Sequence, residues 1–205
     1  MTKKNLLLIE KIINALPQLQ CQKCEYDDCS RYAEAVVLNQ EAIDKCEPGS
    51  KNTAKLLENI LSQTDAEIKT QKIKKYNVAT IKSNNCIGCK ICLNVCPVDA
   101  IIGAKHQIHY IVEDLCNGCE LCIPQCPVDC MEMIENKKSE SWVWPSSESE
   151  KSKKNYYQKL KRTKSQKTQI KDCLDNLTQE SQIKKYIKDA IKKESIRREK
   201  VKIYE

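Results

Sequence analysis

The chain has 205 residues, a formal net charge of +7, 14 cysteines and only 5% aromatic residues, with no phenylalanine. This length suffices for one or two small domains, but so few aromatic side chains argue against a large conventional hydrophobic core. We expect no signal peptide or membrane span at its start, because Glu10 and Lys11 interrupt the short apolar run Leu6–Ile9. The cysteines are therefore interpreted as metal ligands in a reducing compartment, the cytoplasm, and not as a disulfide framework.

The charge is unevenly distributed along the chain. Residues 137–205 contain 20 Lys and Arg against 10 Asp and Glu, whereas residues 1–136 contain 15 against 18. The sequence thus combines a slightly acidic, cysteine-rich body with a strongly basic C-terminal extension.

The first predicted elements are helices. Apolar residues recur at helical spacing over Lys3–Leu16, and Pro17 ends that pattern. A second helix is predicted over Arg31–Leu38, with either Asp28 or Ser30 as its N-cap.

Four cysteines surround the second helix with the spacing C-x2-C-x4-C-x16-C: Cys21, Cys24, Cys29 and Cys46. The helix would carry the chain back to deliver the last of them. The set suits a [4Fe–4S] cluster, although its spacing alone also leaves a structural zinc site open. Together with an amphipathic helix over Lys51–Leu61, it predicts an N-terminal metal domain at residues 1–62, followed by a lysine-rich linker at residues 63–77.

One cysteine pattern, C-x2-C-x2-C-x3-C-P, then occurs twice, 30 residues apart. The first copy comprises Cys86, Cys89, Cys92 and Cys96 before Pro97, and the second comprises Cys116, Cys119, Cys122 and Cys126 before Pro127. This is the spacing of bacterial ferredoxins with two [4Fe–4S] clusters, in which the fourth cysteine of each copy serves the other cluster. It predicts one cluster on Cys86, Cys89, Cys92 and Cys126, and another on Cys96, Cys116, Cys119 and Cys122. Structural zinc is disfavoured here, because zinc sites use separated cysteine pairs.

Short strands are predicted around the two copies, over Val78–Ile81, Ala100–Ile102 and Ile108–Val112. They define a two-cluster domain at residues 78–135, and residues 136–205 form the basic extension. The predicted fold class is therefore α+β: a small helical N-terminal iron–sulfur domain, a ferredoxin-like two-cluster domain, and a basic tail that is helical or partly disordered.

The other cysteines and the two histidines receive structural interpretations. Cys130 occupies the position in the second copy that Ala100 occupies in the first, which favours a small buried side chain. Cys173 is predicted to be a free thiol. His106 and His109 are interpreted as structural, because a Rieske-type site replaces two cysteines with histidines and no cysteine is missing here.

The basic extension begins with the segment Trp142–Trp144, whose tryptophans are expected to pack against the body and not to dock a partner. Further along, Ile183, Ile187 and Ile191 predict a basic amphipathic helix over residues 184–193. Such a segment is compatible with a solvated, partly disordered extension or with docking on an anionic membrane surface or a protein partner. Nucleic-acid binding is less favoured, because a run of charge alone is weak evidence for it.

The two cysteine regions together resemble the B subunit of the Rnf/Rsx ion-translocating electron transport complex. The first carries LPQ before its first cysteine, then CxxCxYDxC, RYAEA and KCEPG, and the second reads CIGCKICLNVCPVDAIIGAKHQIH and CNGCELCIPQCPVDC. The resemblance extends from Leu16 to Met133, more than half of the chain. It implies that the N-terminal set Cys21, Cys24, Cys29 and Cys46 holds a third [4Fe–4S] cluster.

The sequence departs from this family at two places. Its members commonly begin with a hydrophobic membrane anchor, whereas this chain is expected to be an anchorless variant. The family also favours glycine near the N-terminal ligands, where this chain has Lys23, Glu25 and Asp28. Glutamate adopts positive φ less readily than aspartate, so we expect either an adjusted loop or a less firmly held cluster.

Three [4Fe–4S] clusters would make this chain an iron–sulfur relay for single electrons. It carries no glycine-rich nucleotide motif and no catalytic Ser/His/Asp arrangement, so we expect an electron carrier with no substrate site of its own. The resemblance implies other redox proteins as partners, or membrane subunits that couple electron flow between NADH and ferredoxin or supply a redox sensor. Such partners would place the chain peripherally on the cytoplasmic face of the inner membrane. The alternatives are a free soluble ferredoxin serving a cytoplasmic reductase and, less favoured, a nucleic-acid-binding iron–sulfur protein or a zinc-binding interaction module.

Overall fold

The computed structural model describes residues 2–62, 70–73, 75–136, 138, 141–177 and 180–202, with side chains up to residue 172 and again at residues 184–195. The chain divides into two compact units, Met1–Lys159 and Leu160–Glu205. Both cysteine regions belong to the first unit.

The N-terminal region contains the three predicted helices: α1 (Lys3–Ala15), α2 (Cys29–Leu38) and α3 (Ser50–Leu61). Leu16 is extended at the end of α1, as the residue before a proline is expected to be. Asp28 is the N-cap of α2, and its carboxylate accepts a hydrogen bond from the Arg31 backbone N–H at 2.8 Å. The predicted helices are thus confirmed, although α2 begins two residues earlier than predicted.

These helices enclose the N-terminal core, formed by side chains that recur on their inner faces. Its most buried members are Ile12, Ala15, Leu16, Tyr32, Ala33 and Leu57. Cys46 belongs to the same core, and Cys24 and Cys29 pack against it. The N-terminal thiols therefore lie at the edge of a packed apolar interior.

The residues that the structure describes between 70 and 144 form six short strands: β1 (Gln71–Ile73), β2 (Asn77–Ile81), β3 (Ile101–Ile102), β4 (Tyr110–Ile111), β5 (Met131–Glu135) and β6 (Trp142–Trp144). They form three antiparallel pairs, β1 with β6, β2 with β5 and β3 with β4. The α+β class predicted from the sequence is confirmed.

The internal repeat of the sequence is also visible in the fold. Each cysteine loop follows a strand and a single turn of 3₁₀ helix, Ser83–Asn85 before the first loop and Glu113–Leu115 before the second. A short helix, α4 (Ile91–Val95), lies within the first loop. The two thiol-bearing loops thus occupy matching positions between strands.

Two features of the middle of the chain differ from prediction. Strand β1 lies within the stretch predicted as a linker, of which residues 63–69 and 74 fall outside the described residues. Strand β6 and the start of helix α5 (Ser147–Leu177) lie in the stretch predicted as an extension, so the first unit continues to Lys159. The cause is long-range pairing, since Gln71 is in register with Trp144.

The two tryptophans of β6 pack against the body, as predicted, and they attach strand β6 to the end of helix α1. The indole N–H of Trp142 donates to the Pro17 carbonyl at 2.8 Å, and that of Trp144 donates to the Ala15 carbonyl at 3.1 Å. Both rings are buried, in a core that also contains Leu19. We call residues 142–159, from β6 to the first turns of α5, the brace.

The start of α5 adds polar contacts to the brace. The Ser152 hydroxyl donates to the Gln18 carbonyl at 2.7 Å and accepts from the Asn117 side chain at 3.0 Å. Asn117 also donates to the Leu19 carbonyl at 2.8 Å. The Tyr156 hydroxyl donates to the Asp28 carboxylate at 2.9 Å. Because Asn117 belongs to the second cysteine loop, these bonds join the two cysteine regions directly.

The second unit comprises the remainder of α5 and helix α6 (Glu180–Lys202). The predicted basic helix over residues 184–193 lies inside α6, whereas the side chain of Cys173 lies outside the described set. Within the described part of the chain, no helix is both long enough and apolar enough to span a bilayer.

Candidate metal centres

The four N-terminal cysteines line a single cavity, together with Leu16, Leu19 and Tyr32. Cys29 is the first residue of α2, and Cys46 is a buried residue on the loop that follows that helix. Burial and, to a smaller extent, the nearby Cys21 and Cys24 together raise the pKa of the Cys46 thiol to about 12. The structure therefore brings the predicted set together from a loop, a helix start and a distant return.

The loop that carries Cys21 and Cys24 is locally strained. Gln18, Gln20, Gln22 and Glu25 all have positive φ, which is unfavourable for residues with a side chain. One support for this conformation is the Gln20 side chain, whose oxygen accepts from the Cys29 backbone N–H at 2.8 Å. Glu25, at φ 69°, stands at a position where the resembling family favours glycine. The loop keeps its left-handed turn there despite the glutamate.

We expect Glu25→Gly to hold the N-terminal metal more firmly. Left-handed backbone costs a residue other than glycine about 1–2 kcal/mol, and glycine removes that cost. The ion pair lost with Glu25, to Lys45 at 3.5 Å, involves a largely exposed carboxylate and contributes little. Iron release from this site to a chelator, followed by absorbance, should slow about fivefold.

The matched control for that substitution is Asp27→Gly, two residues along the same exposed loop at a position without positive φ. Glycine relieves no strain there, so iron release should stay unchanged or become faster. Equal slowing in both variants would contradict the role assigned to the left-handed turn at Glu25.

In the two-cluster domain, one group of neighbouring thiols combines both copies of the motif. Burial and, to a smaller extent, the neighbouring Cys89, Cys86 and Cys126 together raise the pKa of the Cys92 thiol to about 11. Cys126 comes from the second copy, 30 residues beyond its counterpart Cys96. The chain therefore brings the fourth thiol across to the first loop.

The other group has the reverse composition, with three thiols of the second copy and one of the first. Burial raises the pKa of Cys119 well above its usual range, and the charges of Cys96, Cys116 and Cys122 add to the effect. The pKa of Cys122 rises to about 12 through burial, then through Cys116 and Cys96. Each group therefore contains three thiols of one copy and the fourth thiol of the other.

Backbone N–H groups point at several of these sulfurs. Ala79 donates to the Cys116 sulfur at 3.4 Å, and Ala100 donates to the Cys96 sulfur at 3.2 Å. Close backbone approach around the loops depends on glycine: a Cβ at Gly88 would lie 2.6 Å from the Gln107 nitrogen. Gly88 also has positive φ. Buried thiolates that accept such bonds are the environment that iron–sulfur clusters require.

The donor chemistry of all three groups fits a [4Fe–4S] cluster, since each offers four thiols. Within the described ranges, no three His, Cys, Asp or Glu side chains converge as ligands of a single metal ion. Thiolates on a cubane bind four different irons and therefore stand farther apart than the ligands of one ion.

Two side chains for which the sequence predicts only a structural role lie beside the thiols. The buried His109 places its Nδ1 atom 3.3 Å from the Cys92 sulfur, and the Cys130 sulfur lies 3.3 Å from the Cys126 sulfur. Cys130 is buried, as predicted. The signal that could have drawn attention to both is the repeat itself, because their counterparts 30 residues earlier are the alanines Ala79 and Ala100.

A lysine from the brace also reaches the first loop, which the sequence did not predict. Lys159 donates to the carbonyls of Leu93 at 3.2 Å, Asn94 at 2.9 Å and Cys96. These carbonyls lie at the C-terminal end of α4, where a cation is electrostatically favoured. Lys159 thereby fixes the backbone that positions Cys96.

The paired ferredoxin-type loops and their all-thiol groups define an iron–sulfur protein. A family model described as "4Fe-4S dicluster domain" matches residues 67–133, and one described as "Putative Fe-S cluster" matches residues 16–48. The two matches cover the two regions in which the structure groups the cysteines.

The relatives narrow this class to one family. The chain is 46% identical over 142 residues to the B subunit of the ion-translocating oxidoreductase complex of Salmonella paratyphi B, covering 67% of this chain and 73% of that protein. Proteins of the same name from two Buchnera aphidicola subspecies are 40% identical over 110 residues and 42% identical over 116 residues, covering 66% and 69% of those proteins. The chain belongs to this family of B subunits of ion-translocating oxidoreductase complexes, and its role is iron–sulfur electron transfer.

Proposed function

We propose that the chain carries single electrons through three [4Fe–4S] clusters. The ligands are Cys21, Cys24, Cys29 and Cys46 for the first, Cys86, Cys89, Cys92 and Cys126 for the second, and Cys96, Cys116, Cys119 and Cys122 for the third. The observation that carries this proposal is the grouping of the thiols, four to a group, in three places in one compact unit. When bound, the clusters supply one-electron redox chemistry.

The protein's own contribution is to hold the three thiol groups in one compact unit, with every proposed ligand except Cys89 at least partly buried. Cys21 and Cys116 pack against the same small core, which includes Leu19 and Trp142. Lys23 of the N-terminal loop pairs with Glu120 of the second cysteine loop at 3.1 Å. These contacts support an arrangement in which the N-terminal group neighbours the group that contains Cys116.

The proposed partners are the other subunits of an ion-translocating oxidoreductase complex, because the relatives are subunits of such a complex by name. In this setting the chain is an electron carrier and leaves substrate chemistry to its partners. A free ferredoxin-type protein that serves a soluble reductase is the alternative. A pull-down with the tagged chain from detergent-solubilised membranes tests the two roles. Recovery of other subunits of such a complex supports the role of complex subunit, whereas recovery of a soluble reductase alone supports the free ferredoxin-type role.

The test of the cofactor assignment is metal analysis of chain purified without air. Three clusters predict about twelve iron and about twelve sulfide per chain. Low-temperature EPR of the reduced protein should show signals of interacting [4Fe–4S] centres. Colourless protein with one or two zinc ions per chain would overturn the proposal, and about eight iron per chain would remove the N-terminal cluster from it.

We further propose that helix α6 docks on an anionic membrane surface. Tyr186, Ile187 and Ile191 expose 78%, 51% and 62% of their surface. Five lysines lie among them: Lys184, Lys185, Lys188, Lys192 and Lys193. Apolar side chains set among cations suit the interface of a negatively charged bilayer, where each basic residue contributes about 1 kcal/mol.

Co-sedimentation with vesicles tests this docking. The chain should bind vesicles with anionic lipid, should not bind neutral vesicles, and should lose binding when Tyr186, Ile187 and Ile191 are all replaced by serine. Equal binding by the triple variant, or salt-sensitive binding to duplex DNA with none to vesicles, would contradict the membrane assignment.

A further inference from the structure

The two-cluster domain contains its own internal comparison, because every residue of one half has a counterpart 30 residues away in the other. At two buried positions beside the thiols, the halves differ in chemistry. His109 has Ala79 as its counterpart, and Cys130 has Ala100. In each case one half has an alanine methyl group where the other has a side chain that can donate a hydrogen bond.

His109 is fully buried and lies against a predicted ligand. Its Nδ1 atom is 3.3 Å from the Cys92 sulfur, and its Nε2 atom is buried with no hydrogen-bond partner among the described residues. A thiolate bound to iron can only accept a hydrogen bond, so the proton of the ring belongs on Nδ1. The side chain then has one polar contact within the described structure, and that contact is to the sulfur.

The position of this ring depends on the neighbouring backbone. A Cβ atom at Gly103 would lie 2.2 Å from Cδ2 of His109, and Gly103 has a φ of +156°. Only glycine permits this approach without displacing the ring. The sequence therefore provides both the donor and the space that holds it against Cys92.

Cys130 makes a comparable contact from the other side. Its sulfur lies 3.3 Å from the Cys126 sulfur, and its backbone N–H also donates to that sulfur at 3.3 Å. The counterpart Ala100 keeps the backbone bond, to Cys96 at 3.2 Å, but has no thiol to add a second. Cys130 thus adds a donor that the other half lacks.

Both extra donors face the same thiol group, since Cys92 and Cys126 share a predicted cluster. We propose that His109 and Cys130 donate hydrogen bonds to ligand sulfurs of that cluster and raise its reduction potential independently of its neighbour. This inference rests on the proposed function. Its physical reason is that a reduced cluster carries one more negative charge, so donors to its sulfurs stabilise the reduced state more than the oxidised state.

The test replaces each donor with the residue that the other half already has. In His109→Ala and Cys130→Ala, the ratio of reduced to oxidised cluster at a given potential should fall by three- to tenfold for one cluster, a shift to more negative potential of up to about 59 mV for one electron. The double variant should shift further, and the other cluster should titrate as in the unmodified chain. EPR-monitored redox titration at one fixed pH measures the cluster potentials in both single variants and in the double variant.

Two further variants separate hydrogen bonding from packing. His109→Gln keeps an N–H donor and should stay close to the unmodified potential, whereas His109→Leu fills the space without a donor and should shift like alanine. Electron–nuclear double resonance of the reduced protein should show an exchangeable proton near the cluster that is lost in His109→Leu.

Several results would overturn the inference: unchanged potentials in both alanine variants, equal shifts of both clusters, or identical behaviour of His109→Gln and His109→Leu. Iron and sulfide analysis keeps this outcome distinct from a failure of the proposed function. Absence of clusters from the unmodified chain refutes that function, whereas intact clusters with unmoved potentials refute only the role of the two donors. If His109→Ala loses iron, the inference is still tested by Cys130→Ala and by the comparison of His109→Gln with His109→Leu.

Discussion

Replacing Cys96 with serine is expected to remove the cluster proposed for the second cysteine loop, although Cys96 belongs to the first loop. Cys96 is among the thiols that raise the pKa values of Cys119 and Cys122, whereas Cys126 is among those that raise the pKa of Cys92. Serine is a poor substitute for a thiolate ligand, so iron should fall from about twelve to about eight atoms per chain. Metal analysis of air-free protein measures this loss.

The identity of the lost cluster requires two comparison variants. The EPR spectrum that remains in Cys96→Ser should match that of Cys119→Ser and differ from that of Cys89→Ser. Cys173→Ser, at a cysteine that is not among the twelve proposed ligands, serves as the matched control and should keep its full iron content. A spectrum like that of Cys89→Ser would show that the fourth cysteine of the first copy stays with its own loop, and the crossed ligand scheme would be wrong.

The second large effect is expected from Trp144→Ala. Only 1% of the Trp144 surface is exposed, and its indole N–H donates to the Ala15 carbonyl across 129 residues of sequence. Truncating a buried tryptophan to alanine typically costs about 3–5 kcal/mol, because it removes apolar contacts and leaves a cavity. For a unit of this size, the thermal midpoint should fall by about 10 °C. Loss of cluster absorbance on heating under anaerobic conditions reports that midpoint.

Two more variants serve as references for the size of this change in thermal midpoint. Trp144→Phe keeps most of the ring but leaves the Ala15 carbonyl without its donor, so it should fall between alanine and the unmodified chain. Tyr110→Ala, at a ring that is 57% exposed, should change the midpoint little. If Trp144→Ala is no less stable than Tyr110→Ala, the brace does not stabilise the first unit as the structure implies.

Much of the cluster region could be predicted from the sequence because its chemistry imposes local spacing. Three thiolates that close around one cubane must lie a few residues apart, and the repeat of C-x2-C-x2-C-x3-C-P records that requirement directly. The helices were similarly accessible, since Asp28 and the apolar periodicity of Lys3–Leu16 are local signals.

The brace could not be predicted in the same way, because nothing local marks it. Strand β1 is the polar tripeptide Gln71–Ile73, and it becomes a strand only by pairing with β6, far along the chain. Lys159 is one of many lysines in a basic segment, and only the fold places it on the carbonyls beside Cys96.

The contact between His109 and Cys92 was missed for a different reason. The sequence gives no reason to place a histidine against a thiol, because no cysteine is missing from the motif for a histidine to replace. The sequence does show that His109 corresponds to Ala79 in the repeat. The short distance from His109 to the Cys92 sulfur, however, arises only when β4 and the first loop come together in the fold.

The brace also has a consequence for the order of events during biosynthesis. A nascent chain that has left the ribosome only as far as Glu135 already contains all twelve cysteines of the three groups, yet lacks Trp142 and Trp144. Because proteins fold their N-terminal parts first during synthesis, all of these thiols are present before the brace can pack against the N-terminal helices. We expect iron and sulfide to reach the thiols most readily in that interval, before the brace packs against the N-terminal helices.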